Sequence, residues 1–136
     1  MNKKTKIQGG CLCKSVRYFI SGLPCSAEYC HCRMCQKTSG AVVVNWMDVK
    51  SEQLTWLTQK PAEFQSSKNV YRGFCKNCGC SISFRDVRHP EYITLTIASL
   101  DDPSLVKPQL HIYTDDQVEW LNISDDCTRF PEGQVK

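Results

Sequence analysis

Cysteine is the residue type that stands out in this sequence, with ten among 136 residues. Seven of the ten fall into three short groups, Cys11-x-Cys13, Cys30-x-Cys32-x-x-Cys35 and Cys75-x-x-Cys78. Such short spacing indicates metal ligands, because neighbouring cysteines in a C-x-C pair would close a badly strained disulfide ring. Thiolates favour zinc first and iron–sulfur clusters second. The sequence therefore predicts metal binding through sulfur.

A closed structural zinc site needs four ligands, and two of these groups can supply them together. Cys75 and Cys78 form a knuckle in which Gly79 can adopt the positive φ of a tight turn. Cys11 and Cys13 would share one face of a strand, since residues i and i+2 point the same way. A four-thiolate site built from both pairs would join the N-terminal region to the middle of the chain.

The remaining group, Cys30, Cys32 and Cys35, offers three ligands and leaves the fourth position of a zinc ion open. On a strand, Cys30 and Cys32 would share a face, with His31 on the opposite face. Zinc held by three thiolates carries one net negative charge, so we expect a weak Lewis acid rather than an efficient generator of hydroxide. A soft fourth ligand, such as the sulfur of a thiol substrate, follows from this donor set.

Spacing alone does not decide which cysteine joins which ion. Cys11 and Cys13 could instead pair with Cys30 and Cys32, which also gives four thiolates. Cys80 could replace the second cysteine of the knuckle or fill the open position of the triad. No separate role is predicted for the other cysteines, Cys25, Cys80 and Cys127.

Composition limits the class of protein. The chain is 41% hydrophobic and 23% charged, as expected for one folded domain spanning 1–136. The ordered motifs described below place its core at about 7–131. A net charge of +3 is too small to predict nucleic acid as a partner. No apolar stretch approaches 18 residues, and none follows the basic start, so neither a membrane span nor a secretory signal is expected. The predicted location is the cytoplasm, where thiols stay reduced.

The elements that must position these cysteines are mostly short strands. No stretch of ten residues has helical periodicity, and the one helix candidate is a short turn near 33–39. The clearest alternation of apolar and polar residues is at 92–100. Further strands are predicted at 15–21, 41–47, 54–58, 62–66, 69–74, 81–85 and 109–114. We therefore expect a small, zinc-stabilised, mostly β fold of short antiparallel strands with little helix.

Several ordered motifs together resemble the glutathione-dependent formaldehyde-activating enzyme family, also called the centromere protein V family. The matching segments are Gly9–Tyr18 (G-x-C-x-C-x-x-V-R-Y), Cys30–Gly40 (C-H-C-x-x-C-x-x-x-S-G), Arg72–Gly79 (R-x-F-C-x-x-C-G), Ala98–Pro103 and Pro108–Ile112. Two positions depart from the pattern: Lys14 stands where Gly is common, and Cys80 where Ser or Thr is usual.

The resemblance implies a fold of the β-tent type and two Zn²⁺ ions per chain. The implied ligands are Cys11, Cys13, Cys75 and Cys78 for a structural zinc, and Cys30, Cys32 and Cys35 for a second, open zinc. It also implies a carbon–sulfur lyase that acts on a thiol–aldehyde adduct of the S-hydroxymethylglutathione type, with glutathione as the partner thiol and formaldehyde as the aldehyde.

His111 lies in one of the family-like motifs and is the candidate catalytic acid/base, although a hydrogen-bonded scaffold role fits the residue type equally well. His31 is expected to be structural. The alternative to an enzyme is a non-catalytic zinc-binding module that binds a small thiol or a protein. Turnover of the adduct separates these two hypotheses.

Overall fold

The fold is mostly β, as the sequence predicts, with 41% strand and 15% helix. A computed structural model describes residues 6–133. The elements in chain order are β1 (Lys6–Gly10), β2 (Arg17–Ser21), β3 (Ser26–Cys30), α1 (Arg33–Ser39), β4 (Val44–Lys50), β5 (Leu54–Trp56), β6 (Ala62–Ser67), β7 (Val70–Phe74), β8 (Ser81–Asp86), β9 (Tyr92–Thr96), β10 (Leu110–Ile112) and β11 (Thr128–Arg129). Within 6–133, no helix is long and apolar enough to cross a membrane.

The strands form two sheets. The larger sheet has the order β11-β10-β3-β4-β9-β8-β7-β6, and the smaller has the order β1-β2-β5. Neighbouring strands are antiparallel except that β10 runs parallel to both β3 and β11. The structure thus adds two parallel pairs to the predicted antiparallel arrangement. Parallel pairing needs a crossover, which the residues between β9 and β10 provide.

β4 lies inside the larger sheet, between β3 and β9, and its two faces belong to different clusters. Met47 is fully buried in the main core, together with Tyr18 of the smaller sheet. Trp46 points to the opposite face by strand alternation and packs in a second cluster with Cys30 and Cys35. Both faces of β4 are covered, yet its sequence, Val-Asn-Trp-Met-Asp-Val-Lys, also contains the buried carboxylate of Asp48.

Element boundaries follow the local sequence where a local signal exists. The predicted helical turn is α1, which ends at Gly40, where φ is +76° and the N–H bonds to the carbonyl of Gln36. The strand predicted at 41–47 begins later, at Val44. The strand predicted at 92–100 ends at Thr96, because a 3-10 turn follows at Ile97–Ser99.

Three strands, β1, β3 and β11, were not predicted. β1 contains Gly9 and Gly10, which have low strand propensity. Glycine is required at position 9 by close packing, since a Cβ there would lie 2.5 Å from both the carbonyl of Ser99 and the hydroxyl of Tyr18. β11 has only two residues. These strands depend on their neighbours in the sheets rather than on local sequence.

Candidate metal centres

The first cysteine cluster has the geometry of a four-thiolate site. The sulfurs of Cys11, Cys13, Cys75 and Cys78 all lie within 4.8 Å of one another. The sulfur of Cys13 is 3.6 Å from that of Cys11 and 3.7 Å from that of Cys75. Zinc–sulfur bonds of about 2.3 Å place the corners of a tetrahedron about 3.8 Å apart. The donor set and its spacing therefore fit a structural zinc.

The turn that follows β1 presents the first pair of this cluster. Cys11 and Cys13 lie in this turn rather than on a strand face, which corrects the expectation from strand alternation. The backbone N–H of Val16 donates to the sulfur of Cys11 at 3.3 Å. Lys14 completes the turn with a φ of +70°, a left-handed conformation that explains why glycine is common at this position in the family pattern.

The turn between β7 and β8 presents the second pair. Gly79 has a φ of +81°, as predicted, and its N–H donates to the carbonyl of Cys75 at 2.7 Å. The backbone N–H groups of Cys80 and Cys13 lower the pKa of Cys78 to about 6. This turn favours a thiolate at neutral pH, which is the form that binds a metal.

The second cluster joins the end of β3 to the start of α1. The sulfurs of Cys30, Cys32 and Cys35 lie within 4.8 Å of one another, and those of Cys30 and Cys35 are 3.4 Å apart. β3 ends at Cys30, so the expected common strand face of Cys30 and Cys32 is wrong. Cys32 instead caps α1, its sulfur accepting a hydrogen bond from the N–H of Cys35 at 3.3 Å. A strand-to-helix corner gathers the three sulfurs.

The charges in the second cluster indicate that a cation belongs there. Hydrogen bonds from Cys30 and then Cys35 lower the pKa of Cys32 to about 2. Hydrogen bonds to Cys32 and Cys35, with burial, hold the pKa of Cys30 far above its usual range. Three sulfurs this close repel one another as thiolates unless a cation lies beside them. A divalent metal would allow all three to be thiolates, and an all-sulfur donor set fits zinc.

A cavity of about 530 Å³ opens beside the second cluster, and its three cysteines line the wall. This volume is in the usual range for small-molecule sites. The larger sheet contributes Glu28, Trp46, Asp48, Val70, Arg72, Phe84 and Thr94, α1 contributes Arg33 and Met34, and the C-terminal part contributes Tyr113, Asp116 and Gly133. The cavity therefore combines thiols, aromatic rings and charges of both signs.

Arg72 connects the sheet to the second cluster. Its guanidinium donates to the sulfur of Cys35 at 3.4 Å and to the hydroxyl of Ser66 at 3.1 Å. It also lies 5.1 Å from the ring centre of Phe84. No role was predicted for Arg72, although it precedes Cys75 by only three residues in a family-like motif. Its positive charge offsets part of the negative charge of the thiolates.

Tyr113 is a second cavity residue that the sequence did not single out. Its backbone is left-handed, with a φ of +57°, which is uncommon for a bulky side chain and occurs most often at functional sites. Burial and then the negative charge of the nearby thiolates raise the pKa of Tyr113. Its hydroxyl therefore stays protonated at neutral pH.

His111 is fully buried and does not line the cavity. Ile112, the next residue in β10, does line it, and strand alternation directs the two side chains to opposite faces. Both ring nitrogens of His111 have partners: Nδ1 lies 2.9 Å from Nε2 of His31, and Nε2 lies 2.9 Å from Oδ2 of Asp125. The acid/base role of His111 stays a prediction, while its hydrogen bonds are those of a supporting residue.

Comparison with known proteins agrees with this geometry. A family model described as "Glutathione-dependent formaldehyde-activating enzyme" matches residues 6–116, which include all seven cysteines of the two clusters. The chain belongs to this family. The family assignment fits a role in formaldehyde activation and cysteine clusters that could hold zinc.

A solved structure shows the same fold. The crystal structure of a Rhodobacter sphaeroides protein from a structural genomics programme has a TM-score of 0.59 and 19% sequence identity to this family member. The similarity covers 74% of this chain and 96% of that chain. None of the curated proteins matches the chain. The family assignment thus depends on the family model and the ordered motifs.

Proposed function

We propose that this protein is a zinc-dependent carbon–sulfur lyase that acts on a thiol–aldehyde adduct of the S-hydroxymethylglutathione type. The observation that carries the proposal is a three-thiolate cluster, Cys30, Cys32 and Cys35, lining a cavity large enough for such an adduct. The first cluster already has four ligands, so the second is the one with a place for a substrate.

Zinc at the second cluster would supply a soft Lewis acid that favours the thiolate form of the substrate sulfur. Cys30, Cys32 and Cys35 would hold the metal, and Arg72 would offset their negative charge through Cys35. The walls of the cavity would hold the thiol and the aldehyde next to each other, which lowers the entropic cost of bringing two small reactants together.

The reaction balances without an oxidant or a reductant. When the adduct forms, a sulfur lone pair attacks the carbonyl carbon of formaldehyde, and the C=O π electrons become the oxygen lone pair that is protonated. In the lyase direction the C=O bond reforms, the C–S bond breaks toward sulfur, and the hydroxyl proton passes to solvent, or to the sulfur when the thiol is released. The protonated hydroxyl of Tyr113 is the cavity group suited to donate a hydrogen bond to that oxygen.

In this proposal His111 supports the site rather than transferring the proton, because both of its ring nitrogens are engaged behind the cavity wall. The proposed substrate thiol is glutathione, following the family assignment. None of the ten cysteines forms a disulfide, which supports a reducing compartment such as the cytoplasm. We also propose that the chain acts as one zinc-binding domain.

Replacing one cysteine of the second cluster tests the proposal. Cys35→Ser should lower the zinc content from two ions per chain to one and abolish turnover of the adduct. Cys25→Ser is the matched control, because Cys25 is an exposed thiol outside both clusters and should keep both properties. Native mass spectrometry measures the zinc content, and formaldehyde release from the adduct measures turnover.

Two results would contradict the proposal. Turnover that persists in Cys35→Ser without the second zinc would show that the reaction takes place elsewhere. If the wild-type protein binds glutathione with two zinc ions in place but shows no turnover, the non-catalytic zinc-binding module becomes the better description.

A further inference from the structure

A chain of three side chains runs behind the second cluster, away from the cavity. Asp125 Oδ2 lies 2.9 Å from His111 Nε2, and His111 Nδ1 lies 2.9 Å from His31 Nε2. Both histidines are fully buried. Their ring centres are 5.1 Å apart and their planes differ by 19°, as expected for rings joined edge to edge by this hydrogen bond, and the ring of Tyr29 stacks on His111 at 4.4 Å. The two imidazoles are therefore fixed in position as well as hydrogen-bonded.

Asp125 sets the direction of the hydrogen bonds in this chain. A carboxylate only accepts, so His111 must carry its proton on Nε2. In the neutral ring Nδ1 of His111 is then an acceptor, and it receives the proton on Nε2 of His31. Nδ1 of His31, which has no partner among residues 6–133, is left with a lone pair rather than an N–H. If the hydrogen bonds ran in the opposite direction, Nδ1 of His31 would be a buried N–H without a partner. Proteins avoid a buried unpaired donor more strongly than a buried unpaired acceptor.

His31 connects this chain of hydrogen bonds to the cysteines on either side of it. Its backbone N–H donates to the carbonyl of Ile112 at 3.1 Å, and its own carbonyl accepts from the side chain of Gln36 at 2.8 Å. The peptide between Cys30 and Cys32 is thus held by β10, by α1 and by the imidazole chain. Without the hydrogen bond of the His31 ring, this peptide would be held by β10 and α1 alone.

Asp125 is itself anchored by groups close to it in sequence. Its Oδ1 accepts from the backbone N–H of Cys127 at 2.9 Å and from the guanidinium of Arg129 at 3.0 Å. This segment pairs with β10 through β11. It lies beyond residue 116, where the match to the family model ends. The part of the chain outside that match therefore supplies the carboxylate that orients the two histidines.

We propose that Asp125 is a positioning residue for the second cluster and acts on Cys30 and Cys32 through His111 and His31. The inference rests on the proposed zinc site at that cluster. Removing a group that hydrogen-bonds directly to a metal ligand typically lowers metal affinity 10–100-fold. Asp125 acts through two further side chains, so we expect the lower end of that range. The ligand atoms of His111, Asp125 and Cys127 also lie within 4.8 Å, but the guanidinium of Arg129 on the same carboxylate disfavours a metal ion there.

Zinc release from the full-length, zinc-loaded protein tests the inference without measuring turnover. With a chromophoric chelator in stopped flow, Asp125→Ala should release one of its two zinc ions about tenfold faster than wild type, and the other at the wild-type rate. Asp125→Asn keeps one acceptor oxygen and should give an intermediate rate. Asp126→Ala, an exposed neighbour with the same charge change, should behave as wild type.

Nitrogen NMR of the histidine rings gives a second measurement, the position of the proton on each ring. A merely structural role of Asp125 would leave that position unchanged. The chain has only three histidines, and the exposed His89 serves as the reference. We expect Nε2 of both His31 and His111 to carry a proton in the wild-type protein. Asp125→Asn can place its amide N–H against His111, so a fraction of that ring should change to the Nδ1–H tautomer. The NMR readout remains usable if Asp125→Ala does not fold.

Three results would overturn the inference. In the first, Asp125→Ala releases both zinc ions at the wild-type rate. In the second, His111 of the wild-type protein carries its proton on Nδ1, and in the third the protein takes up an additional zinc ion at His111, Asp125 and Cys127. A wild-type protein that binds a single zinc ion would contradict the proposed function as well. Two zinc ions without turnover would contradict the proposed function alone, because the release rates would still report on Asp125.

Discussion

Cys78 and Cys80 lie two residues apart, but their surroundings differ. The sulfur of Cys78 is within 4.8 Å of the three other sulfurs of the first cluster. Cys80 is not in that cluster; its sulfur accepts a hydrogen bond from the backbone N–H of Leu12 at 3.2 Å. The sequence left open whether Cys80 replaces Cys78. The geometry favours Cys78 as the ligand and gives Cys80 a role in joining the two ligand-bearing turns.

A pair of serine substitutions tests this assignment at the level of single residues. Cys78→Ser removes one thiolate of four and should lower the zinc content by one ion per chain, since a hydroxyl is a poor zinc ligand in a thiolate site. Cys80→Ser keeps a polar partner for Leu12 and should retain two ions. Native mass spectrometry measures the zinc content of both variants. Zinc loss from Cys80→Ser, with retention in Cys78→Ser, would reverse the assignment.

At the level of elements, the turn after β1 contains a backbone conformation that its sequence does not favour. Lys14 has a φ of +70°, and left-handed backbone costs a residue with a Cβ about 1–2 kcal/mol. Glycine escapes this cost but loses more chain entropy on folding, by about 0.5–1 kcal/mol. The cost of the left-handed backbone is larger than the entropy cost of glycine, so lysine at this position should make the turn less stable than glycine would.

Lys14→Gly should therefore increase the free energy of unfolding by up to about 1 kcal/mol. Lys68→Gly is the matched control: the same substitution in the exposed turn between β6 and β7, where φ is not positive, should destabilise by about 0.5–1 kcal/mol. Denaturant unfolding of the zinc-loaded proteins measures both changes. Equal destabilisation by the two variants would show that the strain at Lys14 is negligible.

Elements with a strong local signal were the predictable ones. α1 was predicted as a short turn, and the Gly40 that follows it is a typical helix end. β9 was predicted because Ile93 and Leu95 alternate with threonines. β3 was missed although it lies inside the larger sheet. Its five residues, Ser26–Cys30, include a serine and a glutamate, and its strand conformation depends on β4 and β10 on either side.

The candidate site was likewise predictable only where its residues have a local signal in the sequence. Cysteine spacing and the motifs predicted both groups of cysteines, and the structure brings the sulfurs of each group within 4.8 Å of one another. Arg72 and Asp125 had no such signal, since they meet Cys35 and His111 across 37 and 14 residues. His111 was found by its motif, but its orientation away from the cavity depends on the register of β10 beside β3. Contacts of this kind exist only in the folded sheet.

At the scale of the whole molecule, the two clusters belong to different packing regions. Cys11 and Cys75 are part of the main core between the sheets, whereas Cys30 and Cys35 belong to the smaller cluster on the other face of the larger sheet. A metal at the first cluster would link the turn after β1, in the smaller sheet, to the turn between β7 and β8 in the larger. The first site should therefore stabilise the fold, and the second should mainly serve the cavity.

Matched substitutions should separate these two contributions. Cys75 and Cys35 are similarly buried, at 0% and 3% exposure, so serine costs about the same desolvation at each. Cys75→Ser also removes a cross-link between distant parts of the chain, for which losses of about 2–5 kcal/mol are typical of disulfides. We expect its Tm to fall by about 10 °C or more, and that of Cys35→Ser by clearly less. Calorimetry of both variants, and of wild type after partial chelation, measures the difference; equal shifts would mean that both sites stabilise the fold alike.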